Sequence, residues 1–517
     1  MNNFSNNEKE KLFSTTMIVI ISFTLAKLLL HIVTIQNYGI FRDEFYYLAC
    51  ADYVDFGYVD HPPLSIWILS LIKSIFGDSI FALRIFPAII GSLTVFISGI
   101  IAKELGGKIF SIIISMIAVI ISPLYLALHH YYSMNSIDIL IWTVSFFLLI
   151  KIIKTEKPKY WILLGFCIGL GILNKLSPIF LCFGLFIGLI FTNNRKFFFT
   201  KWLWICLGIA LLFFIPYLIW NVTHNFASLE FMKNASLYKN YKSSPLEYIL
   251  GQIINMNPVT FPLWIFGIIF FLISKNNSSL RIFGITYLTI LVVFILTSGK
   301  TYYLSPIYTI LFAGGAIFIE NIFIKFQKIK IAILGVLMAL GLLVIPFGLP
   351  ILPVDTFINY SKKTGFIPPK EEKNKQNAIL PSHFQDMFGW EEMTLEVVKV
   401  YNTLSSDEKA NCIIYGENYG EAGAIKYFGK KYNICEVVSG HNNFYYWFPE
   451  NKKVDVVIAI VKSQKKESFE SVFEEVTEVS KYTTNYYSSM ENNLSIYLCK
   501  KPKYSMKELK EKIKKFI

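Results

Sequence analysis

The chain has 517 residues, of which 54% are hydrophobic and only 16% are charged, and its mean hydropathy is +0.49. A soluble domain carries about 25% charged residues, so this composition excludes a wholly soluble protein and indicates several membrane spans. The formal net charge of +13 does not indicate a nucleic-acid partner, because the short basic clusters lie mostly between apolar segments, as the positive-inside rule requires.

Apolar segments predict a polytopic membrane domain. The first begins near Met17, and its length, together with the many later segments, favours an uncleaved helix over a signal peptide. The short runs at 160–173 and 177–192 predict either two tilted helices or a re-entrant pair, so we expect about 11 to 13 transmembrane helices. The candidate runs cover residues 17–36, 80–102, 109–127, 136–153, 160–173, 177–192, 202–220, 249–273, 281–298, 302–320 and 329–349.

Basic residues predict the orientation of these helices in the inner (cytoplasmic) membrane. The connections 129–135 and 299–301 carry few lysines or arginines, whereas the alternate connections carry many, which places the N-terminus in the cytoplasm. An odd number of spans then places the tail after residue 350 outside the cell, together with the loop after the first span. The lysine and arginine residues of the cytoplasmic connections are Lys103, Lys108, Lys151, Lys154, Lys157, Lys159, Arg195, Lys196, Lys201, Lys275, Arg281, Lys325, Lys328 and Lys330.

The tail from about Val354 predicts a small α/β domain. Cys412–Tyr415 and Val454–Ile460 read as buried strands, as does 494–499, and helices are expected at 421–428 and 466–479. Residues 506–517 predict a lysine-rich amphipathic helix. Seven scattered cysteines include no Cys-x-x-Cys pair, which argues against a zinc ribbon.

The fold expected from these patterns is a mostly α-helical polytopic membrane protein with a soluble extracytoplasmic α/β domain. The transmembrane domain covers residues 1–353 and includes an interfacial first outer loop at 37–79. The soluble domain covers residues 354–517. Cys412, Cys435 and Cys499 allow one disulfide within that domain, but their spacing does not identify which two would pair.

The loop after the first span is the strongest candidate for a functional site. Arg42, Asp43, Glu44, Asp60 and His61 are packed between aromatic residues just beyond the membrane boundary. Ionisable groups are costly to hold there, so a cluster of them indicates function. Paired carboxylates beside an arginine and a histidine suit acid–base chemistry on a phosphorylated or hydroxylated substrate. The alternative is that Arg42 and Asp43 simply cap and anchor helices.

A second group of polar residues lies at the predicted outer ends of other spans. Asn135 and Asp138 begin a membrane helix, where an acid is costly unless it is paired or faces water. The preceding His129 and His130 diverge by about 100° on a helix, so at most one could bind zinc, and a plain polar lining is the alternative. Cations that could grip a phosphate, or merely snorkel to the interface, are Arg42, Arg84, Lys175 and Lys300, with the hydroxyls of Tyr302 and Tyr303 beside the last.

The soluble tail contains a third group of candidate binding residues. Gly416, Gly420 and Gly423 do not have the spacing of a nucleotide-binding fingerprint. His441 is followed by asparagines and aromatic residues, a composition that suits carbohydrate contact. Ordinary packing of the tail is the alternative.

Several motifs together resemble the dolichyl-phosphate-mannose protein mannosyltransferase-like family, the group that includes the lipid A aminoarabinose transferases. The resemblance covers residues 17 to about 320, and it implies an integral-membrane glycosyltransferase of the C-type fold that uses polyprenyl-phosphate sugars. The motifs, in order, are Asp43-Glu44, Gly57–Leu64, Arg84–Pro87 with Gly91, Ser133–Asn135 with Asp138, Gly169–Lys175 and Lys300–Tyr308.

The resemblance also implies roles for individual residues. Asp43, with Glu44 beside it, matches the catalytic aspartate of the family, which helps to deprotonate or orient the acceptor hydroxyl. Asp60 matches an acid that contributes to a divalent-metal site in some relatives, so it is a candidate ligand for Mg²⁺, Mn²⁺ or Zn²⁺. His61 stands where the aminoarabinose transferases have a lysine, which leaves the metal and the donor sugar open.

The predicted function is therefore inverting transfer of a sugar from a polyprenyl-phosphate donor to an acceptor hydroxyl of a glycolipid, lipid A, a cell-surface polymer or a protein. Arg42, Arg84, Lys175, Lys300, Tyr302 and Tyr303 are the predicted donor-phosphate residues, and His61, Asn135, Asp138 and His441 are the predicted substrate-binding residues. The first alternative is a lipid or solute transporter or flippase, which would show internal pseudo-symmetry that the sequence lacks. The second is a membrane scaffold with a sensory outer domain.

Overall fold

The structure is a computed structural model that describes residues 6–273, 278–365, 380–484 and 492–517. By compactness the chain divides into two units. We call residues 1–37, 79–218 and 241–371 the helical unit, and residues 38–78, 219–240 and 372–517 the α/β unit. The loop at 38–78 thus groups with the tail. The domain boundary predicted from composition, between residues 353 and 354, stays a prediction.

The described elements are mostly helices. In chain order they are α1 (Asn6–Ile32), α2 (Arg42–Asp52), α3 (Leu64–Phe76), α4 (Ile80–Glu104), α5 (Ile109–Ile121), α6 (Pro123–Leu128), α7 (Met134–Thr155), α8 (Pro158–Asn174), α9 (Pro178–Ile190), α10 (Lys201–Thr223), α11 (Ala227–Asn234), α12 (Pro245–Asn255), α13 (Phe261–Ile273), α14 (Arg281–Leu296), α15 (Tyr308–Ile322), α16 (Gln327–Val344), α17 (Val354–Thr364), α18 (Ser382–Gln385), α19 (Trp390–Asn402), α20 (Ser406–Ala410), β1 (Cys412–Gly416), α21 (Tyr419–Gly429), β2 (Glu436–Val438), β3 (Val456–Lys462), α22 (Lys466–Glu470), β4 (Phe473–Tyr482), β5 (Leu494–Pro502) and α23 (Met506–Ile513).

The prediction of a multi-pass membrane protein is confirmed. Within the described ranges, seven helices are long and apolar enough to cross a membrane, or nine if each of two sharply bent pairs counts as one span. The predicted total of about 11 to 13 exceeds this count, partly because two predicted runs form shorter helices. The run at 109–127 breaks after Ile121, where Pro123 begins a new helix, and the run at 160–173 forms the 17-residue α8.

Helices α13 and α15 pack backbone against backbone in the helical unit. A Cβ atom on Gly315 would lie 1.8 Å from the carbonyl oxygen of Leu263, and one on Gly267 would lie 2.1 Å from that of Leu311. Only glycine allows so close an approach, which is a common way for membrane helices to associate. The residues of α15 from Tyr308 to 317 are all buried, so this helix lies in the interior of the helical unit.

The α/β unit is built on one five-stranded sheet of order β2-β1-β3-β5-β4. β1 runs parallel to β2 and β3, whereas β5 runs antiparallel to β3 and β4. The three strands predicted from the sequence are confirmed as β1, β3 and β5, and the predicted helix at 421–428 lies within α21. All seven cysteines are free thiols.

The helix predicted at 466–479 is wrong beyond its first turn. α22 ends at Glu470, and β4 follows at the edge of the sheet. The β-branched Val476, Thr477 and Val479 favour a strand. The edge position leaves the charged side chains of β4 in water, so its polar composition does not oppose sheet formation.

The close packing of α13 and α15 gives a prediction about stability. We expect Gly315→Ala to destabilise the protein by about 1–3 kcal/mol, because the new methyl group forces the two backbones apart. Gly335→Ala in α16 is the matched control, since nothing lies within 4 Å of its Cβ position. Thermal unfolding of the two purified variants in lipid measures the stability of each. Equal unfolding temperatures for the two variants would contradict the packing described.

Candidate functional site

The first candidate residues lie at the start of α2. Its preceding residue, Phe41, is extended, and its backbone N–H donates to Glu44 Oε2 at 2.8 Å. Glu44 is fully buried, so its carboxylate caps the helix. α2 is also buried along most of its length, and its Phe45 packs against Trp390 and Phe428. This helix is therefore enclosed in the α/β unit.

Asp43 presents a partly exposed carboxylate that is held by two donors. The Tyr419 hydroxyl donates to Asp43 Oδ1 at 2.8 Å, and Arg42 Nε lies 3.4 Å from the same oxygen. The side chain of Asp43 is 37% exposed, whereas that of Arg42 is 10% exposed. Arg42 also lies 3.6 Å from Asp386 Oδ2 through Nη1. The carboxylate is therefore fixed in orientation but still reachable by a substrate.

Tyr419 is itself held in place by His441. The Tyr419 backbone N–H donates to His441 Nδ1 at 3.3 Å, and His441 Nε2 lies 2.8 Å from the Ile517 carbonyl oxygen. These partners require the proton on Nε2, because Nδ1 accepts. Burial holds the pKa of His441 well below its usual range, so the ring is neutral. Both ring nitrogens are engaged, which gives His441 a positioning contact to Tyr419.

Asp60 belongs to a second hydrogen-bonded group in the α/β unit. The Tyr46 hydroxyl lies 2.8 Å from Asp60 Oδ1 and 3.2 Å from Asn443 Oδ1. The backbone N–H of Val59 donates to the same Asn443 oxygen at 2.7 Å. Burial and the neighbouring Asp60 carboxylate raise the pKa of Tyr46 well above its usual value, so its hydroxyl stays protonated and serves as a donor.

His61 lies beside Asp60 but does not form a hydrogen bond with it. His61 Nε2 is 4.0 Å from Asp60 Oδ1, Nδ1 lies 2.9 Å from the Pro62 carbonyl oxygen, and the ring stacks on Tyr47. Asp60 and His61 could supply two metal ligands. Across the described ranges, however, no three His, Cys, Asp or Glu side chains lie close enough together to hold a metal ion. The residues therefore do not fit a metal held by the protein alone.

Lys175 is the centre of a cluster in the helical unit. Its Nζ donates to Asn135 Oδ1 at 2.8 Å and lies 3.4 Å from Asp138 Oδ2. The hydroxyl of Ser177 donates to the other oxygen of Asp138. The Asp138 side chain is almost fully buried, and Lys175 is its charge partner, which is how an acid inside a membrane helix is stabilised. Two of the three donors of the Lys175 ammonium group are used in this way.

Two tyrosines complete this cluster. Lys175 Nζ lies 5.4 Å from the ring centre of Tyr302 and 5.3 Å from that of Tyr303. Lys300 Nζ lies 6.0 Å from the ring centre of Tyr302. Electron-rich ring faces attract the ammonium groups, so they hold two positive charges close together. We call Asn135, Asp138, Lys175, Lys300, Tyr302 and Tyr303 the Lys175 cluster.

Arg84 has a different environment from the other predicted cations. It is fully buried, and its Nη1 donates to the carbonyl oxygens of Ile35 and Asn37, at 3.2 and 3.5 Å. The same nitrogen lies 3.3 Å from His130 Nε2. These contacts satisfy carbonyl groups just after α1, a task that requires a strong donor. A phosphate contact for Arg84 stays a prediction.

The structure thus brings the predicted residues together in two groups. In the α/β unit, Asp43 lies beside Arg42 and Asp60 beside His61, and in the helical unit the Lys175 cluster is contiguous. Residues that the sequence analysis did not assign, notably Tyr419, Asp386 and Asn443, hold the first group in place. Asn418 caps the helix that carries Tyr419, and such a cap after a buried strand is the one signal that could have pointed there.

Comparisons with known proteins support the resemblance seen in the motifs. Residues 60–220 match the family model described as dolichyl-phosphate-mannose-protein mannosyltransferase. No curated protein matches the chain.

Two solved structures are similar over almost the whole chain. ArnT from Cupriavidus metallidurans in the apo state is 14% identical, with a TM-score of 0.57, over 93% of this chain and 97% of that one. ArnT from the same organism bound to undecaprenyl phosphate is 13% identical, with a TM-score of 0.59, over 92% and 97%. At these identities the likeness establishes the fold.

The matched family consists of glycosyltransferases, so the comparisons give no support to the transporter alternative. Over residues 60–220 the chain is thus similar to the dolichyl-phosphate-mannose-protein mannosyltransferase family, and its fold is similar to that of ArnT.

Proposed function

We propose that the protein transfers a sugar from a polyprenyl-phosphate carrier to an acceptor hydroxyl on the extracytoplasmic face of the inner membrane, by a single inverting displacement. The observation that carries the proposal is the partly exposed Asp43 carboxylate, held by Tyr419 and Arg42. The undecaprenyl phosphate bound to the similar ArnT supports the class of carrier. Connections rich in lysine and arginine alternate along the chain with connections poor in them, which supports a cytoplasmic N-terminus.

Asp43 is the proposed general base. As the acceptor oxygen forms its bond to the anomeric carbon, its proton passes to the carboxylate, and the bond from that carbon to the lipid phosphate breaks. The Tyr419 hydroxyl fixes one oxygen of Asp43, so the other oxygen is left for the acceptor. Attack opposite to the departing phosphate gives inversion at the anomeric carbon.

The Lys175 cluster is the proposed site of the departing phosphate. The third donor of the Lys175 ammonium group can reach a phosphate oxygen while the other two stay with Asn135 and Asp138. Lys300 adds a second positive charge, and the hydroxyls of Tyr302 and Tyr303 are additional donors. Positive charge that meets the developing phosphate dianion lowers the barrier to bond breakage.

Glu44, Arg84 and His441 have supporting roles in this proposal. Glu44 caps α2, Arg84 satisfies carbonyl groups after α1, and His441 orients Tyr419. Asp60 and His61 lie in the same unit as Asp43 and are proposed to contact the sugar or the acceptor. No step of the reaction is assigned to a metal, because Asp60 and His61 supply only two ligands.

The base role of Asp43 predicts that Asp43→Asn lowers transfer by about 10²-fold or more, because an amide cannot accept the proton. The assay uses purified protein in lipid and a panel of undecaprenyl-phosphate and dolichyl-phosphate sugars. Asp407→Asn, at an exposed position in α20, makes the same chemical change and is expected to keep full activity. Transfer by the Asp43 variant at the rate of the control would remove Asp43 from this role.

The positioning role of Tyr419 predicts a smaller effect. Tyr419→Phe keeps the ring beside Arg42 and His441 and removes only the hydroxyl, so we expect kcat to fall about tenfold with little change in KM. Tyr427→Phe is the matched control, because that hydroxyl on the same helix donates to the Asp78 carbonyl oxygen.

A double variant tests whether the two residues act together. If Tyr419 acts through Asp43, adding Tyr419→Phe to Asp43→Asn causes little further loss. If instead the fold-loss of activity in the double variant equals the product of the two single losses, Tyr419 has a role separate from Asp43.

The phosphate role of the Lys175 cluster predicts that Lys300→Met raises the KM for the polyprenyl-phosphate donor by about tenfold and spares the KM for the acceptor. Lys159→Met is the control, since Lys159 also lies over a tyrosine ring, that of Tyr160, at 5.1 Å. Kinetic titration of donor and acceptor separates the two constants. An unchanged donor KM in the Lys300 variant would exclude Lys300 from phosphate binding.

A further inference from the structure

The α/β unit contains a cavity of about 400 Å³ on one face of its sheet. The sheet side is formed by Ile413 and Tyr415 of β1 and by Val457 and Val461 of β3. These residues alternate along their strands, and the register pairs Ile413 with Val457, so their side chains share one face. That face is apolar and belongs to the core of the unit.

The helices opposite this face are too short to fill the space. α22 has 5 residues and α23 has 8, and they contribute Phe469, Leu509 and Ile513 to the lining. A packed core leaves few voids larger than a water molecule. A cavity of this volume is in the size range of small-molecule sites. Its predominantly apolar walls favour an apolar ligand.

The cavity reaches the carboxyl ends of two neighbouring parallel strands. Tyr415 and Glu417 lie at the end of β1, and Val461 and Lys465 lie at or just after the end of β3. From β1 the chain continues through α21 to β2 on one side, whereas β3 leads through α22 to β4 at the opposite edge. Ligands of open α/β sheets bind at such points, where the connections diverge.

Lysine residues surround the mouth of this cavity. Lys465 is paired with Glu417 at 2.6 Å, and Lys514 is paired with Glu230 at 2.8 Å. Lys512 and Lys515 also line the cavity, and no ion pair joins either of them to a carboxylate in the part of the chain that the structure describes. The mouth carries four lysines and the single carboxylate of Glu417 among its lining residues, and this positive charge beside an apolar cavity favours a ligand with an apolar body and an anionic end.

We propose that this cavity binds a single acyl chain that carries an anionic head group, supplied by a membrane lipid. The chain would pack against Val457 and Val461, and the head group would meet Lys512 and Lys515. The volume of about 400 Å³ favours one chain over two. This site goes beyond the proposed transfer reaction and does not depend on Asp43.

The test uses the full-length protein in phosphatidylcholine nanodiscs and a fluorescent fatty acid, dansyl-undecanoic acid, with its methyl ester as the uncharged comparison. We expect saturable binding of the acid and binding of the ester at least about tenfold weaker. Lys512→Gln with Lys515→Gln should weaken binding of the acid about tenfold. The matched control, Lys503→Gln with Lys507→Gln, removes the same charge outside the lining and should bind normally.

A second variant tests whether the acyl chain of the probe occupies the apolar interior of the cavity. Val457→Phe places a ring in the cavity, so we expect probe binding to be lost while the melting temperature is not lowered and sugar transfer persists. Should that variant fail to fold, the lysine variants still decide the question. The proposal is overturned if the acid and the ester bind equally, or if the acid binds the Lys512/Lys515 variant as tightly as the control. It is also overturned if a folded Val457→Phe protein still binds the probe.

Discussion

The site depends on how this fold holds charged groups that are partly removed from water. A carboxylate in such a place must have donors, or the cost of its charge would force it to take up a proton. Asp43 has the Tyr419 hydroxyl and Arg42, and Asp138 has Lys175 and Ser177. The two carboxylates differ in how far they are exposed. Asp138 is enclosed by its partners, whereas Asp43 keeps a face that a substrate can reach.

Glu44 and Arg84 show how charged side chains also stabilise the backbone of this fold. Glu44 is adjacent to Asp43 in the sequence, yet its side chain turns back to the helix terminus and is fully buried. Arg84 serves backbone carbonyl groups in the same way. Both are needed because helix ends leave polar groups without partners. The side chains of Glu44 and Arg84 therefore both contact backbone groups near helix ends.

Apolar periodicity made the membrane helices and the strands β1, β3 and β5 predictable, since these elements are long or continuously apolar. β4 was missed because its charged residues Glu475, Glu478 and Lys481 recur every three positions, so this edge strand resembles a solvated helix in sequence. Lys175 and Asp138 could be identified because polar residues are rare within membrane segments. Their pairing with each other could not, since it depends on how α7 lies against the end of α8.

The contacts of Asp43 extend along the sequence to the last residues described. Tyr419 is held by His441, and His441 is held by the carbonyl group of Ile517, 474 positions after Asp43 in the numbering. The chain is synthesised from its N-terminal end, so Asp43 is made long before residue 517. Contacts of such large sequence separation form late in folding. Asp43 would consequently acquire its final orientation only after Tyr419, His441 and Ile517 have been synthesised and have folded together.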